Sequence, residues 1–211
     1  MKIQSDRIGT FLLGALILAG CATTPPSSFY TLTPIRGAGD RQASLSEGTI
    51  ALGLGPIGFP AFLDRPQIVS RAGTNRLSLD EFHRWGGNLQ DDFSRALGQN
   101  LAHLLGTSRI LVYPADVRFP LDFRVIADVL SFETTPTGEA ELKVRWAILH
   151  PQLEQALIVR ESAYRRPVQG PTPEAKIAAL SEVLGGFSRD LADELRRLPK
   201  PAPLPQGVEP L

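Results

Sequence analysis

Glu139-Ala-Glu-Leu-Lys-Val-Arg-Trp-Ala-Ile-Leu149 is the stretch from which the fold class is read. Ala140, Leu142, Val144, Trp146 and Ile148 fall on one side of an extended chain; Glu139, Glu141, Lys143 and Arg145 fall on the other. Successive side chains of a strand point to opposite faces, so this run predicts a strand of an antiparallel sheet with one apolar and one wet face. Upstream, a Pro-Thr-Gly turn joins it to a second apolar run at 122–132, and downstream 156–164 continues the meander. Further out, Phe29-Tyr30-Thr31-Leu32 and residues 49–54, 67–71 and 110–113 are short β-prone runs set between loop and turn residues.

Two segments change period from two to about 3.6. Ser78-Leu-Asp-Glu81 has the form of a capping box. Behind it Phe82, Trp85, Leu89, Phe93, Ala96, Leu97, Leu101 and Leu104 recur at steps of three and four, which predicts one amphipathic helix to Leu105 with Gly106 as its cap. Asp80 and Glu81 then read as first-turn residues favouring the helix dipole. Gly86-Gly87 is a weak point there, at about 1 kcal/mol per glycine. Thr172-Pro173 opens a second helix, with Ile177, Leu180, Leu184, Phe187, Leu191, Leu195 and Leu198 as its stripe. The order of elements predicts an α+β fold: a mostly antiparallel sheet with two amphipathic helices packed on one face, as a single domain over 29–198.

One segment fits neither pattern. Residues 55–66 carry Pro56, Pro60 and Pro66, which argue against a regular helix or a central strand. Yet Ile57, Phe59, Phe62 and Leu63 are too apolar for an idle surface loop. Either the segment packs back onto the core, or its side chains meet a partner or a lipid. Phe59, Phe62, Leu63, Asp64 and Arg65 are the candidate contact residues.

The first twenty residues read as a signal peptide: Lys2 and Arg7, then a mostly apolar run at 8–19, then small residues. Twelve residues of helix span about 18 Å, short of a hydrocarbon core of about 30 Å. Leu18-Ala19-Gly20-Cys21 closes the run and holds the single cysteine, in the form of a bacterial lipobox. The expected arrangement is a cleaved leader at 1–20, a lipidated Cys21 with a tether at 21–28, and a proline-rich disordered tail at 199–211.

Charge is balanced at 22 basic against 22 acidic residues. Removing Lys2, Arg7 and Asp6 with the leader leaves 20 against 21, a net of −1, with no electrostatic footprint for nucleic acid. With Cys21 lipidated no thiol remains for a disulfide or a thiolate metal site. Gly53-Leu-Gly55-Pro-Ile-Gly58 matches a dinucleotide-binding pattern, but Pro56 and Pro60 stand where its helix should start. Asp64, Asp80, Glu81 and His83 form a polar cluster in sequence, with His83 better read as a surface histidine than a ligand. His103 and His150 have no partner at ligand spacing, and neighbours Asp91 and Asp92 diverge on a helix. No nucleophile-elbow, zincin or P-loop pattern is present. The expectation is a protein that is not an enzyme, with no metal and no cofactor beyond the covalent lipid on Cys21.

Four pieces together resemble a known family. They are the lipobox cysteine, Phe29-Tyr30-Thr31-Leu32, the run Gly-Pro-Ile-x-x-Pro-x-x-Leu-Asp-Arg-Pro-Gln-Ile-Val-x-Arg over 55–71, and Arg84-Trp85 with the later Trp146 strand. The chain resembles the paraquat-inducible protein C family, also called ABC-type transport auxiliary lipoproteins, with Phe62 where a tyrosine is expected and Gly86-Gly87 where bulkier residues are. The resemblance implies an outer-membrane-anchored lipoprotein facing the periplasm, held by acyl chains on Cys21. It implies work with an MCE-domain periplasmic protein and its inner-membrane transporter, moving phospholipid or other hydrophobic molecules and maintaining envelope integrity, and assembly into a homo-oligomeric ring. The alternative is a structural or regulatory lipoprotein that scaffolds an envelope complex without touching lipid; a lipid-anchored hydrolase is a third reading.

Overall fold

The computed structural model of the chain describes residues 25–35, 50–116, 119–153 and 155–201. The leader, Cys21 and most of the C-terminal tail lie outside them. In order the elements are β1 (Ser28–Tyr30), β2 (Leu52–Gly58), β3 (Gln67–Arg71), β4 (Leu77–Trp85), α1 (Leu89–Leu105), β5 (Ile110–Val112), β6 (Phe123–Thr134), β7 (Glu139–Leu149), β8 (Ala156–Pro167) and α2 (Pro173–Arg197).

The 139–149 run is β7, in antiparallel register with β6 on one side and β8 on the other. Its inward residues Ala140, Leu142, Val144, Trp146 and Ile148 meet Phe123, Val125, Val129 and Phe132 of β6 in one buried core. Both helices close that core from one side and pack on each other. Asn100 of α1 donates to the Ser188 hydroxyl of α2 at 2.9 Å and accepts from the Ile35 amide at 2.7 Å, so the buried contact between the helices has its polar groups satisfied.

The sheet is not mostly antiparallel. It is mixed: β3–β4, β6–β7 and β7–β8 are antiparallel, whereas β1–β4, β2–β5, β2–β6 and β3–β6 are parallel. The long antiparallel ladders are the legible part of the sheet because their two-residue period is local. Parallel pairings join segments distant in sequence and leave no turn between them to read.

Prolines did not keep residues 55–58 out of the sheet. β2 pairs with β5 over Leu52–Leu54 and with β6 on both sides of Pro56, and its register with β6 slips between Leu54 and Ile57. A bulge leaves a residue without a ladder bond, which is where a residue lacking an N–H is tolerated. Gly55 takes φ 120° there, and a Cβ at this position would sit 3.2 Å from that of Tyr113.

The expected helix over 78–105 is a strand followed by a shorter helix. Residues 77–85 form β4, and α1 begins only at Leu89, capped by the Asn88 side chain, which accepts from the Asp91 amide at 3.1 Å. Asp91 and Asp92 are the first-turn acids, not Asp80 and Glu81. Gly86-Gly87 lies in the turn between, where the Gly86 amide donates to the Tyr30 carbonyl at 2.7 Å. Asn88→Ala is therefore expected to lower stability by about 1 kcal/mol, and Ser78→Ala by less than about 0.5 kcal/mol, read from denaturant midpoints. The second helix starts and stops as its sequence signals indicate, with Thr172 as cap and Pro173 at its first position.

The outer face of β6–β7 is not simply wet. Glu133 and Glu141 stand opposite each other in the ladder and are 1% and 7% exposed. Arg71 holds Glu133 through two nitrogens at 2.9 and 2.6 Å, while Arg165 (2.6 Å) and Lys143 (3.2 Å) hold Glu141. Burial alone would raise the Glu141 pKa; the hydrogen bond from Arg165, with Lys143, outweighs it and holds the carboxyl below its ordinary value. A carboxylate with a lowered folded-state pKa stabilises the fold above its unfolded pKa and loses that contribution as pH falls. The stability difference between the native chain and Glu141→Gln should therefore shrink as titrations are repeated downward from neutral pH through the acid range.

Candidate functional site

Three of the pieces that carry the family resemblance, Phe29-Tyr30-Thr31-Leu32, the 55–71 run and Arg84-Trp85, converge on one corner of the fold, around the N-terminus of α1; Trp146 instead packs on Phe187 of α2, and Cys21 lies outside the described residues. Leu63 is buried in the core, and the amide–carbonyl bonds Leu63→Pro60 and Arg65→Leu63, both 2.9 Å, fold residues 60–65 into tight turns. Asp64 is exposed and accepts from the Asn88 side chain at 3.3 Å, so one asparagine both caps α1 and ties down this loop. Trp85 is buried, and its amide donates to the Pro66 carbonyl at 2.7 Å. Asp92 accepts from the Leu32 amide at 2.6 Å, and Arg95 donates to the Leu32 carbonyl at 2.8 Å, fixing the segment after β1 to the same helix.

Those placements bear on the segment whose two readings stood open. Phe59 lies against the rings of Phe93 (5.2 Å) and Phe132 (6.5 Å), and Phe62 packs on the core's edge. Ile57 and Leu63 are fully inside. The apolar part of the segment thus packs, leaving Asp64 as its exposed charged group. Arg65 is half-buried, and its Nε has no hydrogen-bond partner among the described residues.

Of the polar cluster noted in sequence, Asp80, Glu81 and His83 form a stapled bulge, while Asp64 sits apart against Asn88. Ile68 pairs with Asp80 but the adjacent Gln67 pairs with Arg84, so residues 81–83 loop out of β4. One Asp80 oxygen accepts from the Phe82 amide (3.2 Å), the His83 amide (3.0 Å) and the His83 ring (2.8 Å). Burial opposes ionisation of Asp80, but these hydrogen bonds prevail and its pKa is lowered. The Arg84 guanidinium closes the bulge on the Glu81 carbonyl at 3.0 Å. Sequence reasoning missed this feature; the signal was the alternation of Leu77 and Leu79, overridden by the helical spacing from Phe82 onward. Among the described residues, no three His, Cys, Asp or Glu side chains gather at metal-binding distance. Two open grooves flank the helices, about 640 Å³ beside Ile35, Arg166 and Arg189, and about 480 Å³ between α1 and β5.

A family model described as the ABC-type transport auxiliary lipoprotein component matches residues 30–192, a span that contains this corner and both helices. The chain belongs to that family. Members are transport auxiliary lipoproteins, so the protein is envelope-associated, membrane-anchored and partnered with a transporter. Among solved structures, a Xanthomonas campestris protein of family DUF330 superposes with a TM-score of 0.66 at 16% identity, covering 80% of this chain and 94% of its own. An uncharacterized protein gives 0.66 at 17% identity, over 81% and 99% of the two chains. Both likenesses establish the fold. A search of curated proteins finds no match.

Proposed function

We propose that this auxiliary lipoprotein is held in the outer membrane by acyl chains on Cys21, faces the periplasm, and serves an MCE-type system that moves phospholipid or other hydrophobic molecules between membranes. The family match over residues 30–192, joined to the lipobox Leu18-Ala19-Gly20-Cys21, is the observation that carries this reading. Its physical logic is that each exposed CH₂ of a lipid costs about 0.8 kcal/mol in water, so a tube crossing the periplasm needs a seal where it meets the far membrane. A homo-oligomeric ring of anchored subunits supplies one. The role is non-catalytic, with no metal or cofactor beyond the covalent lipid, and Asp64, with the half-buried Arg65 beside it, is the group of the family-specific run that a partner would meet.

A scaffolding role without lipid contact is favoured by one observation: Ile57, Phe59 and Leu63, the apolar residues that could have formed a lipid path, are occupied by the core. The deciding experiment is affinity capture from crosslinked native envelopes, with the intact protein as bait and Cys21→Ala as control. Recovery of an MCE-domain protein with the native bait supports the transport reading. Enrichment of an unrelated envelope complex in its place moves the assignment to scaffolding.

A further inference from the structure

Phe29 is 66% exposed, more than any other large apolar side chain among the described residues, and Phe82 is 38% exposed. Register puts them together. Parallel pairing of β1 with β4 sets Ser28 beside His83, Phe29 beside Arg84 and Tyr30 beside Trp85. Residues paired in register share a face, and faces alternate along a strand. Tyr30, His83 and buried Trp85 therefore point one way, as the 5.8 Å contact between the Tyr30 and His83 rings bears out. Phe29 and Arg84 point the other way, outward, and Phe82 stands exposed on the bulge, next to the residue that pairs with Ser28.

This outward pair is built, not left over. The Asp80 staple holds residues 81–83 in a bulge that displays Phe82, and the first β1 residues carry Phe29 at the point where the chain enters the domain. The nearby polar side chains are engaged with one another, Arg84 with Glu81 at 3.9 Å and the His83 ring with Asp80 at 2.8 Å, so neither Phe29 nor Phe82 is tied to them. Its position relative to the anchor selects the occupant. Six residues, 22–27, separate Cys21 from β1, and a fully extended chain of that length reaches at most about 25 Å. Whatever bilayer holds the acyl chains is within reach of Phe29 and Phe82. Apolar side chains such as phenylalanine bury at the boundary between headgroups and acyl chains when a peripheral surface lies on a bilayer.

We infer that the outward face of the β1–β4 pair, Phe29 with Phe82, is a docking surface for the phospholipid bilayer that holds the anchor, fixing the domain's orientation on the membrane. This rests on the lipid-anchor reading above. The test places tryptophan at one position at a time in the full-length lipidated protein: Phe29→Trp, Phe82→Trp, and Val159→Trp on β8 at the far edge of the sheet. Each is bound to vesicles of phosphatidylethanolamine and phosphatidylglycerol carrying brominated acyl chains, and emission from the native tryptophans is subtracted. Flotation is measured first. The expected result is that tryptophans at 29 and 82 lose most of their emission to the brominated lipid and are shielded from iodide, while the one at 159 shows the reverse. A protein that floats but leaves 29 and 82 open to iodide overturns the docking surface and spares the anchor. Shielding from iodide without quenching by lipid overturns it too, and assigns the patch to a second copy of the chain. A protein that fails to float overturns the anchor reading, and this inference with it.

Discussion

Phe93→Ala is expected to lower the free energy of unfolding by about 4 kcal/mol, the upper range for a buried aromatic removed from a close-packed core. Phe93 has no exposed surface and lies between two rings, edge-on to Phe59 at 5.2 Å and to Phe132 at 5.3 Å. Those rings come from α1, the 55–66 segment and β6, so the triplet joins a helix, a loop and the sheet. Phe59 is only half-buried, and Phe59→Ala should cost about 2 kcal/mol. The double variant should fall short of the sum by about 1 kcal/mol, because edge-to-face pairs add about 0.5–1.5 kcal/mol beyond burial. Denaturant midpoints of the three variants check this. An unchanged midpoint for Phe59→Ala would return the segment to the surface and reopen it as a contact site.

Arg71→Ala is expected to cost about 3 kcal/mol, nearly as much as losing a core aromatic, although Arg71 is partly exposed. The reason lies in its partner. Glu133 is 1% exposed and directly faces a second carboxylate, Glu141, across the ladder. One Glu133 oxygen accepts both Arg71 bonds and the other accepts from the Phe132 amide at 2.8 Å. Without the guanidinium, a buried negative charge is left beside another, and breaking one side of a buried pair costs about 3–5 kcal/mol. Replacing both members by apolar residues of similar volume removes the desolvation penalty together with the attraction. Arg71→Met combined with Glu133→Leu should therefore recover most of the lost stability. Thermal or urea unfolding of the single and double variants decides it; a double variant no better than Arg71→Ala would show that the bridge does more than neutralise Glu133.

The two effects mark different limits of a linear reading. Burial of Phe93 follows from helical spacing alone, and the start of α2 follows from Thr172-Pro173, because caps and stripes are set by neighbours a few residues apart. The β6–β7–β8 ladders are legible for the same reason: their two-residue period and the Pro-Thr-Gly turn are local. The helix start at 78 misled because Phe82, Trp85, Leu89 and Phe93 keep helical spacing across a boundary, while what ends β4 there is the backbone of Tyr30, more than fifty residues away in sequence. The burial of Glu141 was equally hidden, since its cover comes from Arg165 on a neighbouring strand.

Taken alone, the chain determined its α+β class, its antiparallel half, the second helix, and membership of a lipoprotein family whose signature spans 55–71. These rest on period, caps and motif, each a short-range property. Only the tertiary structure decided that the sheet is mixed, that Pro56 sits inside a strand, that Phe59 and Leu63 pack with the core, and that Asp80 staples a bulge in which Phe82 is exposed. All of these depend on which distant backbone supplies a hydrogen bond or covers a side chain. No window along the sequence contains both partners.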